Sequence, residues 1–378
     1  MAALEAALAA DRVPHAFIFC GPAGVGKALT ARALAASLLC DAPRKGRGKA
    51  SPPRACGTDR RGGPRVRPAV ASAPRACGTC RECRQVARNS HPDLAWFRRS
   101  PEKSQFTIGV VTRRDGSPEG PTINESVQLK SMQARCRVTV IEDAEEMNAA
   151  AANAFLKTFE EAPEGAYLVL LVTSLDRLLP TIRSRGRLVR FGALPDEFVA
   201  EILERDHGLS ARDARALAPF ADGGMDQAAA LARSEFLLIR KEVLDALPRL
   251  GRDGALALAD ALGAWATDQA RNEVQTKVKV EENHLRRMYL KRALAMLASV
   301  FRDALLVSAG GDGCGALKNA DAADFVRRLA ERVPTKAIER GVRRMVEYQV
   351  LVDRNVHNQL LLENACLEVS DLLSPARA

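Results

Sequence analysis

Ala16-Phe-Ile-Phe-Cys20-Gly21-Pro-Ala-Gly-Val-Gly26-Lys27-Ala28 is the stretch on which the fold turns. Ala16 to Cys20 is a brief apolar run that reads as a buried strand, Gly21-Pro22 turns the chain, and from Lys27 an Ala- and Leu-rich pattern continues helically to Leu39. A strand, a Gly-rich turn closed by lysine and then a helix make the layout of a phosphate-binding loop. Its glycines let backbone N–H groups curl around phosphate oxygens, the helix start adds partial positive charge, and the lysine reaches the terminal phosphates. Gly21, Gly24, Gly26 and Lys27 are therefore candidate nucleotide-binding residues. The last position departs from the pattern: Ala28 stands where Ser or Thr would hold Mg²⁺, and a methyl group ligates no metal. The plainer reading is a Gly-rich strand-to-helix turn with no ligand.

Working outward, further strands are predicted at Asp93–Phe97, Arg137–Ile141, Tyr167–Val172 and Arg187–Phe191. Helices are predicted from about Cys83 to Asn89 and from Asn148 to Glu161, and a short one at Ala6–Arg12. Arg113 to Pro121 reads as a polar loop. Strands alternating with helices imply an α/β fold with a parallel sheet. After Pro195 strand signals vanish. Three short helical patterns fill 195–235, and 236–378 reads as helical throughout, with breaks near Gly310-Gly311 and Pro334. Three divisions follow: an α/β core at 1–191, a small helical domain at 192–235 and a helical domain at 236–378.

The strand at 137–141 ends in Glu142-Asp143, where a working phosphate-loop ATPase carries Asp-Glu to hold Mg²⁺ and orient the attacking water. The exchange moves each carboxylate by a methylene, enough to spoil in-line geometry. An acidic strand end capping the next helix explains the pair equally well.

The chain has 378 residues, a hydrophobic fraction of 47% and a charged fraction of 27%, which excludes wholesale disorder and implies more than one domain. No apolar stretch is long enough to cross a bilayer, and the amino terminus lacks the positive segment of a secretory signal, so no membrane role is expected. Aromatic residues are only 4%, which argues against base-stacking platforms. The net charge of +10 suggests nucleic acid until it is located: residues 44–88 hold 13 basic and two acidic side chains, leaving the rest near neutral. Much of that charge lies in a low-complexity insert, about 41–76, which is either a solvated loop or a DNA-phosphate contact. Nine cysteines without an export signal suit a reducing cytoplasm. Cys77, Cys80 and Cys83 have the spacing of a tetrahedral Zn²⁺ site, with Cys40 as the natural fourth ligand and Cys56 its competitor. Cys20, Cys136, Cys314 and Cys366 lie in apolar patterns and read as core.

Several stretches together resemble the bacterial clamp-loader subunits of the AAA+ class. They are Pro14-His-Ala-Phe17, the phosphate loop, His91-Pro-Asp-Leu94, Asn148 through Pro163, and Leu179-Pro-Thr-Ile-Arg-Ser-Arg-Gly-Arg187. Ala28, Glu142-Asp143 and the late Asp353-Arg-Asn-Val-His-Asn-Gln-Leu-Leu-Leu-Glu363 narrow the likeness to the delta-prime family. It runs through residues 10–235 and weakens along the tail.

The resemblance implies a P-loop AAA+ core, a helical lid and a helical collar. It further implies membership of a five-membered ring with gamma/tau and delta subunits, as part of the DNA polymerase III holoenzyme, that places a sliding clamp on primed DNA. A four-cysteine zinc module belongs to the family at this place. Delta-prime is the stationary member and does not typically hydrolyse ATP. Its Ser-Arg-Cys motif, here Ser184-Arg185-Gly186, lends an arginine to the neighbouring ATP site. Motor subunits present a further arginine from Gly-Ser-Met-Arg in the lid, and the matching stretch here ends in Asp226. Drift at these nucleotide positions with Arg185 retained favours delta-prime over a gamma/tau motor. Whether Lys27 still holds ATP is open either way at this level.

Overall fold

The computed structural model describes residues 13–41, 76–99, 105–114, 117, 119–276, 281–310, 317–354 and 356–373. The expected helix at 6–12, the body of the basic insert with Cys56, and Cys314 lie outside these residues. The chain forms two compact units, 1–193 and 194–378.

The first unit is built on β1 (Ala16–Cys20), β2 (Leu94–Phe97), β3 (Arg137–Ile141), β4 (Ala166–Val172) and β5 (Arg187–Arg190). These pair in the order β2-β3-β4-β1-β5, all parallel. The strand period of two sorts β1 between two cores. Phe17 and Phe19 pack with Leu34, Leu38 and Val86, on the side of α1 (Lys27–Leu39) and α2 (Arg81–Ala87). Ala16 and Ile18 pack with Phe155 and Phe159. On that second side lie α3 (Ile108–Val111), α4 (Ile123–Gln128), α5 (Ala149–Glu160) and α6 (Pro180–Arg185). A parallel sheet covered by helices on both faces explains why its strands read as unbroken apolar runs. This is the expected α/β fold with a parallel sheet, and the helical second unit follows it.

Three helices of this unit start with a side chain capping otherwise orphaned N–H groups. Asn148 Oδ1 accepts from Ala151 N at 2.8 Å to begin α5. Thr122 and Glu125 form a reciprocal capping box for α4, and Arg113 clamps the same Glu125 at 2.6 Å. That salt bridge and the capping bonds hold the Glu125 carboxyl at about 2. The helices α3 and α4 flanking the polar loop were missed, because each is too short to show a period. Helix α2 starts two residues earlier than expected, at Arg81, where the Cys80 side chain caps it.

Asp93, expected as the first strand residue, lies just before β2, fully buried. Its carboxylate accepts backbone N–H bonds from Met132 (2.6 Å), Gln133 (2.8 Å) and Ala134 (2.8 Å), with Arg137 at 3.6 Å. Burial pushes the Asp93 carboxyl up, but these backbone donors together with His91 outweigh it and hold it below its ordinary value.

The second unit is helical: α7 (Asp196–His207), α8 (Ala211–Leu217), α9 (Met225–Arg233), α10 (Phe236–Ala246), α11 (Arg252–Thr276), α12 (Glu282–Ser308), α13 (Ala323–Arg332), α14 (Thr335–Leu351) and α15 (Asn358–Leu373). One continuous core runs from Val199 through Phe236 and Leu297 to Val369. Further interruptions at 247–251, 352–354 and 356–357 were not anticipated. A buried polar knot ties distant helices: Arg240 in α10 donates to Asp321 (2.7 Å) and Asn319 (3.0 Å). Asn319 donates in turn to Asp303 in α12 at 2.8 Å.

Candidate functional site: a phosphate loop with captured charges

The loop leaving β1, residues 21–26, leads directly into α1. Gly24 and Gly26 take positive φ, 76° and 93°, open to glycine without penalty. Gly21 N donates to Val172 O at 3.2 Å, extending the β1–β4 ladder into the turn. A Cβ on Gly21 would collide with the backbone carbonyl of Phe191, so only glycine fits there. Lys27 is buried, and its Nζ donates to the carbonyls of Gly21 and Pro22, both at 2.6 Å. Ala28 packs against the apolar core shared by α1 and the sheet.

At the end of β3 the two carboxylates have separate fates. Glu142 accepts Trp96 Nε1 at 2.9 Å and pairs with Arg98 Nε at 2.7 Å. Arg98 and, from α1, Arg32 both stack on the Trp96 ring, at 5.9 and 5.3 Å from its centre. Asp143 takes a left-handed φ of 51°. Burial, reinforced by the nearby Glu145 charge, raises its carboxyl. Glu145 escaped the sequence reading: it is buried and accepts both the backbone N–H (2.7 Å) and the hydroxyl (2.5 Å) of Thr173 at the end of β4. Its position two residues past the acidic pair was the available signal. Cys20, read as core, is only partly buried at the base of the phosphate loop, whereas Cys136 and Cys366 are buried.

Cys40, Cys77, Cys80 and Cys83 come together, their sulfurs all within 4.8 Å of one another. Cys40 lies 3.9 Å from Cys80, and Cys77 4.0 Å from Cys83. A tetrahedron with Zn–S bonds of about 2.3 Å has edges of about 3.8 Å, so the four thiols fit a metal of that size. Backbone N–H groups of Cys80 and Cys83 point at the sulfurs of Cys77 and Cys80, at 3.2 and 3.3 Å. Burial works to raise the Cys77 thiol, but N–H groups of Thr79 and Cys80 bring it down to about 6.

Arg185 closes α6. Its Nη1 donates to Thr181 O at 3.4 Å and faces Glu160 Oε1 at 3.3 Å, and the side chain is 47% exposed. At Gly186 a Cβ would stand 2.5 Å from Ile18 Cδ1 and 3.2 Å from Phe159. Ile18 thus fills the space that a larger residue after Arg185 would need. His15 contacts Phe159 O at 3.3 Å. Asp226 sits exposed in the first turn of α9, in the second unit.

Comparisons with known proteins agree along most of the chain. The family model "DNA polymerase III, delta subunit" matches residues 1–60 and 68–195, and "DNA polymerase III, delta subunit, C terminal" matches 256–371. DNA polymerase III subunit delta' of Escherichia coli is 25% identical over 375 residues, 98% of this chain and 93% of that protein. The Pseudomonas aeruginosa delta' is 36% identical over 171 residues, 45% of this chain and 41% of its own length. The gamma/tau subunit of Mycobacterium tuberculosis is 28% identical over 204 residues, 54% of this chain and 29% of that one. Among solved structures, a gamma subunit-related protein of Thermotoga maritima aligns at a TM-score of 0.41 and 15% identity, covering 98% of this chain and 99% of that one. The chain belongs to the delta-prime family of DNA polymerase III clamp-loader subunits.

Proposed function

We propose that this subunit does not hydrolyse ATP and acts in the clamp loader by docking and by lending Arg185 to the ATP site of a neighbouring subunit. The observation that carries the reading is the capture of Glu142 by Arg98 and Trp96. The carboxylate at the metal-binding position is already neutralised inside its own domain, and Ala28 offers no hydroxyl to a metal. Arg185 stands half-exposed, where a guanidinium can reach across a subunit boundary to charge developing on a γ-phosphoryl group. Partners in this reading are gamma/tau and delta subunits in a five-membered ring, with the sliding clamp and primed DNA reached through that ring, in the cytoplasm. Residues 192–235 act as its lid and 236–378 as its collar. The four cysteines hold a structural Zn²⁺, which cross-links the end of α1 to α2.

The isolated chain should show no ATP turnover above background. Turnover near an ordinary enzyme rate of about 1 s⁻¹, in a preparation free of other clamp-loader subunits, would overturn the reading. It would favour a gamma/tau-type motor, to which the intact glycine geometry and Lys27 lend support.

A further inference from the structure

Glu160 is the last residue of α5, and Arg185 the last of α6. Two contacts on the Arg185 guanidinium fall on the same nitrogen: Nη1 donates to Thr181 O at 3.4 Å and faces Glu160 Oε1 at 3.3 Å. Thr181 is one helical turn back and fixes only the local direction of the side chain. Glu160 comes from a different helix, one that packs into the sheet through Phe155 and Phe159, both fully buried. Its carboxylate is therefore carried on a rigid base.

A guanidinium has two edges that can grip an oxyanion with paired N–H bonds. Anchoring Nη1 engages the end-on edge and leaves the paired donors of the side-on edge, Nε and Nη2, for a further oxyanion. The pair is partly solvated, with 47% of the Arg185 side chain and 34% of that of Glu160 exposed. It therefore contributes little to stability, and its value lies in geometry.

We propose that Glu160 is a positioning residue for Arg185: it anchors Nη1 so that the Nε/Nη2 edge is presented to a phosphoryl oxygen of the neighbouring subunit's nucleotide. The inference rests on the reading of Arg185 as a trans-acting arginine. Without Glu160 the side chain keeps its charge but samples other rotamers, and misplacement of a charge-stabilising group by about 1 Å costs on the order of 10²-fold in rate.

The test uses the full chain reconstituted with its partner subunits, reading clamp- and DNA-stimulated ATP hydrolysis. Glu160→Ala should lower kcat about tenfold, somewhat less than a full misplacement, and leave KM for ATP and the melting temperature unchanged. Glu160→Gln keeps an oxygen acceptor and should retain most of the rate. In an Arg185→Ala background Glu160→Ala should cost nothing further, because the group it positions is gone. A separate loss in that background would make Glu160 merely structural and overturn the inference. So would an unchanged or raised kcat in the single Glu160→Ala variant while Arg185→Ala still suppresses turnover, and the trans-arginine reading would then stand alone. Full turnover with Arg185→Ala would reject both.

Discussion

Gly186 follows Arg185 in a space already taken by Ile18, so its lack of a side chain is a packing requirement. Gly186→Ala places a methyl against the Ile18 side chain, whose terminal Cδ1 lies 2.5 Å away in a fully buried position. Overpacking of this kind costs about 1–3 kcal/mol. Urea melts should show that loss, and Ile18→Val should recover part of it, so that the double variant is more stable than the two single losses predict. The strand, turn and helix around Gly21–Lys27 were legible because glycines at a strand-to-helix turn report backbone geometry directly. What could not be read was the fate of Glu142: its captors, Trp96 and Arg98, lie more than 40 residues away in sequence. Only β2 pairing beside β3 brings them to it.

Among elements, Asp93 and the four cysteines each fasten a segment that has little apolar surface of its own. The Asp93 carboxyl is held below its ordinary value, so the folded state prefers it ionised. Its contribution is complete above the unfolded carboxylate range, near pH 4, and fades as pH falls through the lower folded value. Asp93→Asn should destabilise the first unit by about 3 kcal/mol at pH 7, since two or more buried N–H groups lose a charged acceptor. The gap between variant and parent in denaturant titrations should narrow below about pH 4. For the cysteines, metal analysis should find close to one Zn²⁺ per chain, lost in Cys80→Ser and kept in Cys56→Ser. Stripping the metal should speed hydrogen exchange in α2 and at the end of α1, while exchange in α11 to α15 stays the same. The thiol spacing announced this site in the sequence. The short helices α3 and α4 did not announce themselves, because four and six residues are too few to display a hydrophobic period.

At the scale of the molecule, the helices before and after residue 235 share one apolar core. Composition changes little there, and contact between α10 and residues 319–321 arises from a fold-back that periodicity does not encode. Arg240 is the buried tie, with only 4% of its side chain exposed. Arg240→Ala removes the donor to Asn319, whereas Asp321, 42% exposed, can turn to water, so the loss should be about 1–3 kcal/mol. Because the core is continuous, residues 194–373 should melt as one cooperative transition. Hydrogen exchange should then rise together in α7–α9 and in α12 of the variant. A rise confined to α10 and the segment near Asn319 would mean that the tie is local.

The pairing of β1 with β4 sets Ala16 opposite Leu168, and this register has a consequence for how the protein is made. On a ribosome the first strand emerges long before its partners, and no early neighbour in the sequence can complete its ladder. The phosphate loop can close only after β4 and β5 have left the exit tunnel, so the unit gains its form late and all at once. A chain already spanning about 150 residues between partners is insensitive to additions within that span. Some 34 extra residues raise the closure entropy by only about 0.2 kcal/mol. The 34 residues from 42 to 75 can therefore be present or absent almost without thermodynamic consequence for closing the sheet.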